Sequence, residues 1–260
     1  MTFKMWSLFH YIFILSPFIF AITMYLFTKE KTIEEKKKIG LILSIICIII
    51  LLLRNIEIFL QSKKIEPEII PFQICHFANF ILLFAFLKQS KTMFLIAFCF
   101  NLPAAFLSIV FANSLENYPT LFTFRALAYL FGHMLIVGIA IWAFMVKFVK
   151  VEKKAIINST VFIITLFFLS IPINNIFNII MPEFEANYFY TLVPEAGTPL
   201  ELFYTLGREI TFLGLNFNPI YILLTMLIGF SVFFSMILLA FFLNKRSHSK
   251  QDASNFQTIS

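Results

Sequence analysis

Seven stretches of this chain are long and apolar enough to cross about 30 Å of hydrocarbon, and the charged residues are confined to short islands between them. That pattern leaves few folds open. Hydrocarbon satisfies no backbone N–H or C=O group, so each stretch has to close its hydrogen bonds within itself, as a helix. The expected limits are 6–28, 39–61, 69–87, 92–112, 126–147, 156–181 and 219–244. The fold class predicted is an all-α integral membrane protein with seven transmembrane helices. Composition supports the same class: 60% of the 260 residues are apolar and only 13% are charged, whereas a soluble domain would spread charged surface along the chain. The first apolar run follows a single basic residue, Lys4, and has no small-residue cleavage site, so it reads as a retained helix and not as a removed signal.

Residues 1–245 are expected to form one membrane domain. Within it, segment 182–218 is too polar to span and too aromatic to be a free linker, and it is expected to pack as an external cap. Residues 246–260, with His248, read as a disordered cytoplasmic tail. Orientation follows from the basic residues, because basic loops resist translocation. Fourteen Lys and Arg fall on the side holding 29–38, 88–91, 147–154 and the tail. Five fall on the other side (Lys4, Lys63, Lys64, Arg125 and Arg208), and Arg54 lies inside a span. The amino terminus is thereby predicted to be external and the carboxy terminus cytoplasmic, in a multi-pass protein of the cell membrane. The formal charge of +6 then belongs to the cytoplasmic face, where anionic lipid accounts for it, and no nucleic-acid partner is expected.

The intramembrane polar groups can be placed in depth at about 1.5 Å per residue. Cys75 is expected two turns inside the third span and His133 two turns inside the fifth, both about 9–11 Å below the same boundary. A thiol and an imidazole that can meet there are a candidate nucleophile and base. Arg54 and Glu57, one helical turn apart near that boundary, either pair with each other or line a substrate headgroup site. Asn101, beside Pro103, either repairs a kink or faces the same site. His76 points about 100° away from Cys75 on a helix, as a second base or an interface residue. His10, near the external end of the first span, either lines the cavity or faces headgroups. Cys47 and Cys99 have no polar company and read as packing.

Three cysteines with no CxxC and no even pairing argue against a disulfide framework. His133, His76, Glu57 and Cys75 follow no regular ligand spacing, so neither a metal nor a cofactor is expected. There is no GxSxG, no glycine-rich phosphate loop and no HExxH, which sets the nucleotide-dependent classes aside.

The segment Pro71-Phe-Gln-Ile-Cys75-His resembles the "LPLhlC" signature of bacterial YwaF-type membrane proteins and of their eukaryotic relative, transmembrane protein 164. Pro119 to Arg125 followed by Gly132-His133 is similar to that family's Pro, Arg and His around its fifth span. Glu185-Ala-Asn187-Tyr188-Phe resembles its "NY" motif, and Pro219-Ile-Tyr221 the proline and tyrosine that open its last helix. The resemblance covers most of residues 50–225 in motif order and departs at His76, where many relatives carry an acid. It implies a seven-helix protein whose eukaryotic members look like Cys-dependent acyltransferases acting on phospholipids, with Cys75 and His133 at the matching catalytic positions.

The expected function is movement of a fatty acyl chain between phospholipids or lipidated acceptors through a Cys75 thioester, with His133 as base. Arg54, Glu57 and His76 would contact the substrate, and Asn101, Asn187 or Tyr188 would donate hydrogen bonds to the oxyanion. Membrane phospholipids and a lipidated acceptor are the partners this implies; no oligomeric state follows from the sequence. The alternative is a small-molecule transporter or substrate-binding membrane subunit, with an external polar cavity contacted by Arg54, Glu57, His133 and Asn187.

Overall fold

Several helices of the chain begin where a polar side chain takes up an otherwise orphaned N–H of the first turn. In the computed structural model, which describes residues 2–118, 120–195 and 197–257 (117 and 246–257 by backbone alone), Ser7 accepts from the His10 N–H to start α1, Leu8–Thr28. Thr32 and Glu35 form a reciprocal capping box at the start of α2, Ile33–Ser62. Ser90 caps α4, Lys91–Ile96, and Thr123 caps α6, Phe124–Met145. The remaining long helices are α3 (Ile74–Lys88), α7 (Lys153–Ile180) and α9 (Pro219–Gln257). From α4 the chain runs through a π turn, Ala97–Asn101, into α5, Leu102–Val110. The π turn sits where Pro103 withholds an N–H, and the Leu102 N–H reaches back to the Ala97 carbonyl.

Seven of these segments are long and apolar enough to cross a membrane, namely α1, α2, Pro67–Lys88, Lys91–Val110, α6, α7 and Pro219–Lys245. The chain is an all-α, multi-pass membrane protein. With seven crossings its ends lie on opposite faces, here called the amino-terminal and carboxy-terminal faces. The expected limits agree to within three residues except at the second span, whose helix starts at Ile33 and not at 39, and the third, where the α-helix itself starts at Ile74 and not at 69. The reason is Pro71: it biases the preceding residue away from helix, and Ile70 is extended at φ −72, ψ 125 after a 3-10 turn over Pro67–Ile69. Cys75 therefore occupies the first turn of α3 instead of lying two turns inside it. The helical backbone of α9 runs through Gln257, into the segment expected as a tail. Residues 258–260 and the His248 side chain lie outside the described residues.

At the centre stands α6, with α1, α2 and α5 packed along it. Gly138 permits the close approach of α1: a Cβ there would come within 2.6 Å of the Phe20 ring and 3.1 Å of the Pro17 carbonyl oxygen. Toward the carboxy-terminal face the core is aromatic, with Phe86 and Phe148 packed on Phe94 at centroid distances of 4.9 and 5.1 Å. Polar links there include Trp142 Nε1 donating to Thr28 Oγ1 at 2.8 Å and Ser159 Oγ donating to the Thr92 carbonyl at 3.2 Å. The outward faces of α1, α2 and α9 present Leu, Ile and Phe, as a lipid-facing surface requires.

Between α7 and α9 the segment 182–218 caps the amino-terminal face. It contains 3-10 turns at Pro182–Phe184 and Tyr188–Tyr190, a short helix α8 (Leu200–Thr205) and a small antiparallel hairpin, β1 (Ile210–Phe212) with β2 (Leu215–Phe217). The hairpin turns through Leu213 and Gly214, both at positive φ, which matches the twist of its strands. Asn174 and Asn175, on the last turns of α7, hold the cap down. Asn174 Nδ2 donates to the Tyr188 carbonyl, and Asn175 exchanges bonds with the backbone of Asn216.

Candidate functional site

Cys75 lies in the first turn of α3, where the unpaired N–H groups make the helix end partially positive and suit a developing thiolate. Two amides brace that turn. Asn79 Nδ2 donates to the carbonyls of Cys75 and His76 at 3.4 and 3.3 Å, and Asn101 Nδ2 reaches the Ile74 carbonyl at 3.5 Å from the π turn. The Cys75 thiol faces α5, with Sγ 4.0 Å from Ser108 Oγ. Because the Ser108 hydroxyl donates to the Ala104 carbonyl, its oxygen is left to accept from the thiol.

A short chain of contacts leads from there to His133. The Tyr129 hydroxyl donates to the Ser108 carbonyl at 2.7 Å, and His133 Nδ1 lies 2.7 Å from the Tyr129 carbonyl. A carbonyl only accepts, so Nδ1 carries the proton and Nε2 keeps its lone pair, which is the tautomer a general base needs. The Tyr129 ring lies over the imidazole at 4.3 Å between centroids. Among the described residues no hydrogen bond joins Cys75 to His133 directly. The structure thus brings the two predicted residues into one neighbourhood, linked through Ser108 and Tyr129. His76 adds a third polar group: its Nδ1 is buried without a partner, and its ring is near enough to Arg54 and His133 to interact electrostatically.

Arg54 and Glu57 do not pair with each other, contrary to the simpler sequence expectation. The 3-10 turn after α2 folds Glu68 back over the helix end, and the Glu68 carboxylate bridges the guanidinium groups of Arg54 and Arg125. Arg54 also donates to Asn55 Oδ1 at 2.9 Å and to the Glu68 carbonyl at 3.2 Å. Glu57 turns to α6 and accepts the Arg125 N–H at 2.6 Å, so it caps that helix. The Arg125 guanidinium lies over the Tyr118 ring at 5.6 Å. Pro119, in the same motif, lies outside the described residues.

Asn187 and Tyr188 have their polar atoms engaged in holding the cap. Asn187 Oδ1 accepts from the Leu192 and Val193 N–H groups, and its Nδ2 donates to the Val193 carbonyl. The buried Tyr188 hydroxyl donates to the Pro67 carbonyl at 2.5 Å. His10 is likewise taken up, bonding the Trp6 N–H through Nδ1 and the Ile109 carbonyl through Nε2, as a strut between α1 and α5. A cavity of about 420 Å³ on the cap is lined by Asn175, Asn178, Glu185, Leu192, Glu209 and Asn216, and by none of Arg54, Glu57, His133 or Asn187. Beside α3, an apolar crevice bounded by Ile74, Phe77, Phe100, Phe162 and Phe189 reaches Asn101. Among the described residues no group of three His, Cys, Asp or Glu is placed to hold a metal.

Sequence reasoning missed Ser108 and Tyr129. Tyr129 had a signal, since it precedes His133 by four residues and shares its helix face. Ser108 had none, being one hydroxyl among several in apolar helices.

The family model of the TMEM164 family matches residues 2–237. No match is found among curated proteins, nor among solved structures.

Proposed function

From the premise that this chain belongs to the TMEM164 family, we propose that it is a membrane-embedded acyltransferase that carries a fatty acyl chain on Cys75 as a thioester. The observation that carries this reading is the thiol in the first turn of α3 facing Ser108 Oγ, one contact away from the α6 turn that holds His133 in its base tautomer. The cell membrane, with the amino terminus outside, is the location that goes with it. The acyl donor is a phospholipid and the acceptor a second lipid or a lipidated molecule.

In the first half-reaction the Cys75 proton passes to His133 Nε2, and the thiolate attacks the ester carbonyl carbon. The carbonyl pair moves onto oxygen and then returns as the ester C–O bond breaks. The departing lysolipid alkoxide takes the proton from the imidazolium. In the second half an acceptor hydroxyl gives its proton to His133 and attacks the thioester, and the thiolate leaves and is reprotonated. The scheme requires Cys75 and His133 to close to hydrogen-bond reach with substrate in place, as catalytic contacts commonly tighten on binding. Excluding water protects the thioester, and the membrane-buried setting of α3 supplies that exclusion.

The test is incubation of purified protein with a phospholipid bearing a clickable acyl ester, for wild type, Cys75→Ala and His133→Ala. The expected result is a hydroxylamine-sensitive label in wild type, none in Cys75→Ala, and a rate lower by about 10²–10⁴ in His133→Ala. A label of undiminished intensity in Cys75→Ala ends the thioester scheme.

A further inference from the structure

We propose that Tyr190, from the cap, donates the hydrogen bond that stabilises the oxyanion when Cys75 attacks an acyl ester; this rests on the thioester reading above. Among the described residues the Tyr190 hydroxyl makes no hydrogen bond, in contrast to those of four other tyrosines. The hydroxyls of Tyr129, Tyr188, Tyr204 and Tyr221 donate to the Ser108 carbonyl, the Pro67 carbonyl, the Glu209 carboxylate and the Tyr190 carbonyl. The Tyr190 side chain is half-buried and near enough to Glu195 first, then to Cys75 and Tyr129, for their charges to interact.

The backbone shows that this placement is imposed. Phe189 (φ 57, ψ 14) and Tyr190 (φ 53) are consecutive aromatic residues in the left-handed region, which L residues with a Cβ disfavour and which persists only when the surroundings enforce it. Three anchors do so. The Phe189 side chain is buried with its ring 5.5 Å from Phe72, the Asn187 amide ties the turn at Leu192 and Val193, and Tyr221 donates to the Tyr190 carbonyl at 2.7 Å. The result is a phenol fixed by its backbone, with no hydrogen bond at its oxygen, within electrostatic reach of Cys75; the residues next to the two in sequence, Phe189 and Ile74, bound one crevice. Burial raises its pKa above the usual phenol range, so it stays protonated and serves as a donor, not a base. The bond it makes to the oxyanion involves no proton transfer: the carbonyl π pair moves onto oxygen as the S–C bond forms, and the Tyr190 O–H donates to that oxygen until the pair returns. Of the three residues expected from sequence in this role, Asn187 and Tyr188 have their donors engaged in the cap, and Asn101 Nδ2 is turned to the Ile74 carbonyl.

The experiment is single-turnover acylation of the full-length protein in mixed micelles of detergent and clickable diacyl phospholipid, comparing wild type with Tyr190→Phe. Cys75 alkylation by a small maleimide serves as a check that the site is intact. The expected result is thioester formation slowed about 10²–10³-fold at saturating lipid, with half-saturating lipid concentration and alkylation rate unchanged. A merely structural Tyr190 would shift alkylation or half-saturation instead, and that outcome overturns the assignment, as does acylation of Tyr190→Phe at the wild-type rate. A wild type that takes no acyl label under any donor lipid brings down the thioester reading, and this assignment with it. A labelled wild type matched by Tyr190→Phe brings down the assignment alone.

Discussion

The knot around Glu68 and the neighbourhood of Cys75 lie within a few turns of each other, yet they treat polar atoms in opposite ways. At Glu68 two guanidinium groups and one carboxylate close on each other, a second carboxylate caps α6, and a Tyr ring covers one guanidinium. Around Cys75 the thiol has a single long contact, the buried His76 Nδ1, Asn79 Oδ1 and Asn101 Oδ1 have none, and the hydroxyl of half-buried Tyr190 makes no hydrogen bond among the described residues. An unsatisfied buried group costs stability, so several together mark a place where a bound molecule would supply the missing partners. The knot leaves the Arg125 Nε as its one buried unpartnered atom among the described residues and fixes helix ends, whereas the unpartnered atoms around Cys75 come from three different side chains.

The comparison predicts that substitutions in the two regions separate function from stability. Cys75→Ala should remove acyl transfer completely while leaving the melting temperature in detergent close to wild type; a collapse of folding in this variant would make Cys75 a packing residue. Glu68→Ala should do the reverse, leaving Arg54 and Arg125 facing each other with no carboxylate between them. Loss of one partner from a buried pair costs about 3–5 kcal/mol, and the side-chain exposure of 33% at Glu68 and 36% at Arg125 discounts this to about 2–3 kcal/mol. Denaturation in graded detergent mixtures measures it, and an unchanged midpoint would break the contrast. Tyr188→Phe removes the bond to the Pro67 carbonyl that ties the cap to the start of the third span, for about 1 kcal/mol by the same measurement. Lys64→Ala should cost less than about 0.5 kcal/mol, since its contact with Glu183 at 3.2 Å joins exposed side chains.

Hydropathy made the spans legible, because a helix in hydrocarbon must announce itself by length. Depth along the spans was the signal that put Cys75 and His133 together, and the structure links them only through Ser108 and Tyr129. Cys75 follows an irregular stretch created by Pro71 instead of two turns of helix. What the sequence could not reveal is which carboxylate meets which guanidinium. Arg54 has Glu57 one turn away, and the choice of Glu68 depends on a loop folding back, a tertiary fact without a local signature. Asn187 and Tyr188 were legible as special and misread as to purpose, since a motif marks that a residue matters without saying whether it holds the cap or serves the site.

The π turn at Ala97–Asn101 makes the phase of α5 adjustable by a single residue. A wide turn contains one residue more than the α-helical path would, so removing one residue from it would restore a continuous helix and rotate everything beyond it by about 100°. Ser108 would swing off the thiol, the carbonyl that receives the Tyr129 hydroxyl would move with it, and Asn101 would lose its line to the start of α3. The span would still cross the bilayer and still read as apolar. Whether this bundle presents an assembled site or an inert one is thus decided by the length of one turn, a property invisible to hydropathy and open to change by a single codon deletion.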